Sequence, residues 1–168
     1  MESGSFITGT IIIVVLLIPF ILLYQNTKKR KNKIRRALLD FAVQKKCTIM
    51  HCDIWNDTAI GVDEESKNIF FYKKIKDSET SIHVKLQEIQ KCRVINNSRV
   101  IKNDSGNYTI IDKLALGLTP TDKAVSEIQL EFFNAQSEFS ALSDELELCN
   151  SWNEVINDCI VEINTMKK

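Results

Sequence analysis

The feature that most constrains this chain is an apolar run that ends at a cluster of cations. The run extends from Ile11 to Tyr24, and Phe6 to Thr10 lengthen it to 19 residues. A helix needs about 20 such residues to cross a hydrocarbon core that is roughly 30 Å thick. The sequence therefore predicts a transmembrane anchor over residues 1–27, with the span itself at about 6–24.

The cations after the run predict an orientation. They are Lys28, Lys29, Arg30, Lys31, Lys33, Arg35 and Arg36. Lys and Arg collect on the cytoplasmic flank of a span, so we expect a single-pass protein of the inner (cytoplasmic) membrane with its N-terminus outside and its C-terminal domain in the cytoplasm. A cleaved secretory leader has a basic region before the apolar run and small residues at its end, and neither is present here.

The basic segment 28–46 also carries apolar residues at helical spacing, namely Ile34, Leu38, Phe41 and Ala42. We therefore predict a juxtamembrane helix whose apolar stripe docks on the following domain or on a partner. Its seven cations are the predicted contacts with the membrane surface, since each Lys or Arg beside an anionic leaflet contributes about 1 kcal/mol of attraction.

The remaining residues, 47–168, are enough for one domain. They contain 13 Lys and Arg against 20 Asp and Glu, a net charge of −7, which argues against a nucleic-acid partner. The five cysteines are an odd number without CxxC spacing, so the sequence indicates neither a zinc site nor a disulfide framework.

Alternating apolar and polar residues predict seven antiparallel strands after residue 47. We expect a bulge near Asn96-Asn97 and a hairpin at Asn103 to Asn107. Tyr108, Ile110 and Leu114 are predicted to share one face of the sixth strand with Leu116 and Leu118. The predicted strands are Thr48–Trp55, Thr58–Val62, Ile69–Ile75, Ile82–Gln87, Gln90–Ile101, Tyr108–Leu118 and Glu127–Phe132.

From Ser143 onward the apolar period becomes helical again, with Ser143 as a plausible N-cap. The predicted stripe of this long amphipathic helix is Leu146, Cys149, Trp152, Ile156, Cys159, Ile160 and Ile163.

Seven strands followed by one long helix with a central Trp, here Trp152, resemble the pleckstrin-homology-like (PH-like) superfold. The resemblance implies an α+β fold: a seven-stranded antiparallel PH-like barrel over 47–168, closed by the C-terminal helix. The phrases Asp53–Asp63 and Phe70–Lys74 and the segment Leu142–Trp152 are similar to uncharacterised membrane-anchored proteins of Bacteroidetes bacteria, and that similarity implies no mechanism.

The sequence gives little support to catalysis or to a cofactor. The loop Trp55–Thr58 has no cation for a phosphoinositide, and Lys73, Lys74 and Lys76 are interpreted as a solvated strand end. Strand alternation separates His51 from Cys52, so they do not form a metal site with Cys47 and Asp53. His83 has no thiol near it in sequence. The carboxylates Asp63, Glu64 and Glu65 are expected to be solvated.

We therefore expect no enzyme and no cofactor, but a membrane-tethered adaptor or accessory subunit that binds a protein. PH-like domains often bind an extended peptide between a strand edge and the last helix. The candidate groove residues are Lys91, Arg93, Ile95, Glu154, Asp158 and Glu162. The alternatives are a lipid or small-ligand sensor that uses the barrel and a membrane-complex subunit that acts through its span.

Overall fold

The computed structural model describes residues 25–103, 106–137 and 144–166. Neither described helix has the length and apolar character that a bilayer crossing requires, and the predicted span at 6–24 lies outside these residues. In chain order the elements are α1 (25–44), β1 (His51–Trp55), β2 (Thr58–Asp63), β3 (Asn68–Ile75), β4 (Ser78–Lys85), β5 (Ile89–Asn103), β6 (Gly106–Pro120), β7 (Ile128–Asn134) and α2 (Glu145–Met166).

The fold is α+β, and every described strand pair is antiparallel, as predicted. The first sheet has the order β1-β2-β3-β4 and the second has the order β5-β6-β7. The prediction of a closed barrel is not met in the described part of the chain, because no ladder joins the two sheets. A 3-10 turn at Leu86–Glu88 takes the chain from one sheet to the other.

The main core lies between the two sheets and α2. The predicted stripe of α2 is buried from Cys149 to Ile163, and Trp152 at its centre is only 1% exposed. The Trp152 indole Nε1–H donates to Asp53 Oδ2 of β1 at 2.9 Å, so this buried polar group keeps a partner. The predicted cap Ser143 lies outside the described residues.

A second core lies on the outer face of the first sheet, under α1. Ile34, Leu38 and Ala42 of α1 pack there against Phe70 and Tyr72 of β3. Because the first sheet is covered on both faces, all six residues of β2 are buried. Continuous burial also explains why the run from Ile69 to Tyr72 is apolar without alternation.

A bulge in the β5–β6 hairpin changes the predicted face of β6. Asn97 is paired with Lys113 and Ser98 with Ile111, so Asp112 is the extra residue. A one-residue shift moves all later side chains to the other face of a strand. The prediction that Tyr108 and Ile110 share a face with Leu114 was therefore wrong. The register shift lies next to the predicted position Asn96-Asn97, but the extra residue is on β6 and not on β5.

Two strands begin three or more residues away from their predicted first residues. β1 begins at His51 rather than Thr48, and the Thr48 N–H binds the carboxylate of Asp63 instead. β4 begins at Ser78, directly after a turn in which Lys76 has a φ of 53°. Leu86, predicted to be in this strand, lies in the 3-10 turn and is buried.

Candidate functional site

All seven cations predicted to contact the membrane lie on α1 and are exposed. They surround the helix rather than forming one stripe, because the buried positions Ile34, Leu38 and Ala42 take up a single face. Arg30 approaches the domain directly, since its Nε lies 2.6 Å from Asp57 Oδ1 in the turn between β1 and β2. This contact places the first turns of α1 at one end of the molecule.

We call this the basal end and define it by residues 25–30, the turn Asn56-Asp57 and Glu145 at the start of α2. Asn56 has a φ of 44°, a conformation that Asn tolerates better than most residues. Its Nδ2 donates to Glu145 Oε1 at 2.9 Å, and Glu145 is only 3% exposed. The turn is therefore bound on one side to α1 and on the other side to α2.

The close approach of α1 to the first sheet depends on Gly61 of β2. A Cβ atom built there would lie 2.8 Å from Cγ2 of Ile49 and 3.2 Å from Cδ2 of Leu38. Phe41 of α1 adds an edge-to-face contact with Phe70, with ring centroids 5.7 Å apart. These contacts extend along several turns, so α1 is an integral part of the domain rather than a free linker.

The candidate groove residues are held by different parts of the structure. Arg93 forms two hydrogen bonds of 2.9 Å with Glu127 across the second sheet. Glu162 of α2 forms an ion pair with Lys67 in the turn after β2. Lys91, Glu154 and Asp158 are exposed, and Ile95 is half-buried. Arg93 and Glu162 are therefore each bound to a residue outside the predicted groove, and they do not line it together.

The edge of β5 beside α2 is covered by a side chain that the sequence analysis did not single out. Asn157 Oδ1 accepts from the Cys92 N–H at 2.9 Å, and Asn157 Nδ2 donates to the Cys92 carbonyl at 3.0 Å. This amide occupies both positions that an added strand would use at Cys92. A peptide could pair with β5 there only if Asn157 moved.

Lys73, Lys74 and Lys76 were interpreted as a solvated strand end, and this interpretation was wrong for Lys73. Lys73 is only 5% exposed, and its Nζ donates to Oε1 and the carbonyl of Glu131 at 3.1 and 3.2 Å. Lys73 therefore joins the first sheet to β7. The sequence could not indicate this, because Glu131 lies 58 residues away.

The predicted separation of His51 from Cys52 is observed. Cys52 packs in the core under α1, whereas the His51 ring lies 5.4 Å from that of Trp152. In residues 25–103, 106–137 and 144–166 no three His, Cys, Asp or Glu side chains are grouped to hold a metal ion.

Burial makes two of the thiols poor nucleophiles, because it raises the pKa of Cys92 and the pKa of Cys149 to about 12. His83 faces no thiol. It stacks on Phe70 with centroids 4.8 Å apart, and its Nε2 lies 2.9 Å from Asn68 Oδ1. Burial, together with Lys45 and Lys85, lowers the pKa of His83, so the ring is neutral at pH 7.

A cleft lies at the opposite end of the molecule, which we call the distal end and define by the turn 64–67, Leu86–Glu88 and the connection 121–127. Its volume is about 630 Å³. Val84, Ile89 and Ile128 form part of its wall, and Val125 lies at the cleft with half of its surface exposed. The sequence did not indicate this cleft, because its wall combines residues 83–89 with residues 120–128, which are distant along the chain.

Comparisons with models of protein families, with curated proteins and with solved structures found no match to this chain.

Proposed function

We propose that this chain is a non-enzymatic, membrane-tethered adaptor or accessory subunit that presents an acidic PH-like domain to the cytoplasm. The observation that supports it most is the packing of α1 on the first sheet. The apolar run ends at Tyr24, and α1 is already helical at residue 25. A tether joined to a docked helix holds the domain in one orientation at the bilayer.

The PH-like part of the proposal is supported by element order. A four-stranded antiparallel sheet, a three-stranded antiparallel sheet and a C-terminal helix follow one another along the chain. Trp152 lies at the centre of that helix and is buried between the sheets, where the resemblance places its Trp.

The tether is tested by protease protection in spheroplasts that express the full chain. We expect added protease to leave the domain intact in sealed spheroplasts and to digest it after lysis. Replacing the seven cations by Gln should randomise this protection, because the positive flank sets orientation. Replacing Lys45 and Lys46 by Gln is the control, since both lie in the turn that follows α1 and are farther from the span. Digestion in sealed spheroplasts would contradict the proposal.

The adaptor role is tested by affinity purification of the full chain from gently solubilised membranes. Reversing Glu154 and Asp158 to Lys tests the exposed face of α2. Reversing Glu64 and Glu65 is the control with the same change in charge. A protein that is lost only with the α2 variant supports binding at this face. If no protein is enriched with the full chain, the adaptor proposal fails.

A lipid or small-ligand sensor is the second candidate, and the distal cleft favours it. Its volume falls within the range of small-molecule sites, roughly 300–1,000 Å³. Native mass spectrometry of the full chain tests this role, because a bound molecule adds a discrete mass. A spectrum with the mass of the chain alone, together with enrichment of a partner, favours the adaptor.

The third role, assembly through the span, predicts a partner that stays bound to residues 1–46 alone.

A further inference from the structure

The β5–β6 hairpin extends beyond the rest of the second sheet and carries exposed apolar side chains. The last pair between β6 and β7 joins Lys113 to Asn134, whereas β5 and β6 stay paired as far as Asn103 and Gly106. From Asp112 to Asn107 the strand rises about 17 Å at 3.4 Å per residue. Among the described residues, these two arms of the hairpin are therefore paired only with each other.

Cross-strand register places three of the exposed apolar residues on one face. Ile101 is paired with Tyr108, and Arg99 is paired with Ile110, so these four side chains lie on the same side of the ribbon. Tyr108 is 52% exposed, Ile101 is 41% and Ile110 is 39%. The bulge at Asp112 turns this face away from the core that Leu114 and Leu116 fill. We call Ile101, Tyr108 and Ile110 the hairpin face.

The hairpin leaves the core at the basal end. The Trp55 indole N–H, directly before the turn Asn56-Asp57, donates to the carbonyl of Phe132 at 3.1 Å. Two residues later β7 ends at Asn134, and the Ala135 N–H donates to the carbonyl of Asp112 at 2.9 Å. The hairpin arms therefore begin beside the same turn that Arg30 of α1 contacts.

The chemistry of the arms suits a bilayer interface better than a folded partner. Tyr is enriched at the headgroup level, where its ring is in apolar surroundings and its hydroxyl is wet. The described arms, 98–103 and 106–112, carry Arg99 and Lys102 against Asp112. The arms therefore lack the excess of acidic residues that the rest of the domain carries. An anionic leaflet would repel that acidic excess. The apolar run that ends at Tyr24 enters α1 at this same end.

From these placements we propose that the hairpin face rests in the headgroup region of the bilayer, as a second contact beside the tether. This proposal depends on the proposed tether. Two contacts at separate points of a rigid domain prevent it from tilting about α1. The exposed Val100, on the other side of the ribbon, faces water.

The test places a fluorescent Trp on the full chain in vesicles of phosphatidylcholine and phosphatidylglycerol with brominated acyl chains. Tyr108→Trp probes the hairpin face. Val161→Trp is the matched control, because Val161 of α2 is 62% exposed and lies beside Glu162, which pairs with Lys67 in the distal turn. Native Trp55 and Trp152 contribute the same background to both variants. We expect the bromolipids to reduce the emission added at position 108 and to leave the emission added at position 161 unchanged.

Flotation of the same vesicles separates the two proposals. If the full chain floats and the emission of Tyr108→Trp is reduced no more than that of Val161→Trp, the hairpin contact is wrong and the tether stands. If the full chain does not float, the tether fails and this proposal fails with it. Ile110→Trp probes the same face if Tyr108→Trp does not fold, as judged by circular dichroism, and the same outcomes apply to it.

Discussion

Asp63 shows how one buried carboxylate connects separate parts of this fold. It ends β2, is only 4% exposed, and accepts hydrogen bonds from the backbone N–H groups of Thr48, Glu65 and Ser66 at 2.8 to 3.0 Å. Burial is the largest single influence and by itself raises the pKa of Asp63. The hydrogen bonds together outweigh it, so the pKa is lowered. The carboxylate thus joins the turn after β2 to the segment after α1.

Asp63→Asn should therefore destabilise the protein by about 1.5–3 kcal/mol at pH 7, the usual range for hydrogen bonds to a charged group. Because the folded pKa lies below the unfolded value, this stabilisation is present above about pH 4 and is lost as the pH falls through the folded pKa. Urea unfolding of the detergent-solubilised chain between pH 3 and pH 7 measures both effects. Glu64→Gln, an exposed neighbour, is the control, and an equal loss in both variants would contradict the account.

On the scale of elements, α1 is the part that most changes the interpretation of this chain. Its buried stripe covers the outer face of β2 and β3, so these two strands, which would otherwise have one wet face, are buried on both faces. Short isolated helices are marginal in water, and α1 gains its stability from this contact. The helix in turn places Lys28, Lys29 and Arg30 at the basal end and the other four cations along its next turns.

Leu38→Ala should lower the free energy of unfolding by about 2–5 kcal/mol, because Leu38 is fully buried and its loss leaves a cavity between α1 and β2. Val43→Ala on the exposed side of α1 is the matched control and should change it by less than about 0.5 kcal/mol. Denaturant melts of the two variants make the comparison. Equal stability of the two variants would mean that α1 does not dock.

Asn157→Ala should destabilise the domain by about 1–3 kcal/mol, because it leaves the buried N–H and the carbonyl of Cys92 without their side-chain partners. Asn164→Ala, at an exposed position on the same helix, is the control. Thermal unfolding gives the difference in stability. If the two variants melt together, Asn157 does not protect the edge of β5.

The sequence was sufficient to predict which side chains are buried where an element has one face in water and one face in the core. Ile82 and Val84 in β4, and the stripe of α2 around Trp152, follow their periods closely and were predicted correctly. The sequence was insufficient to predict burial where the burial of a side chain depends on a residue that is distant in sequence. The bulge was predicted near Asn96-Asn97 of β5, but its extra residue is Asp112 of β6, so the reversed face of Tyr108 and Ile110 was not predicted. Lys73 is buried only because β7 brings Glu131 to it.

The candidate site could be predicted less fully than the fold. The seven cations were found from their spacing after the apolar run, and they are exposed on α1. The groove residues were chosen by analogy with a strand edge that Asn157 covers at Cys92. The distal cleft depends on how the two sheets meet, and no single segment of the sequence specifies that.

At the scale of the whole molecule, the two ends of the domain are formed by different elements. The start of α1, the turn Asn56-Asp57, the start of α2 and the arms of the hairpin all belong to the basal end. The turn 64–67, the end of α2 and the cleft lie at the distal end. A tether before residue 25 would therefore hold the basal end at the bilayer and turn the cleft away from it.

The central claim is that α1 is part of the domain and not a flexible linker. Hydrogen exchange of the full chain in lipid nanodiscs tests it most directly, because protection reports the free energy of local opening. We predict that the amides of 34–44 exchange as slowly as those of β2 and β3. Rapid exchange throughout α1, while β2 and β3 stay protected, would show an undocked helix and contradict the account.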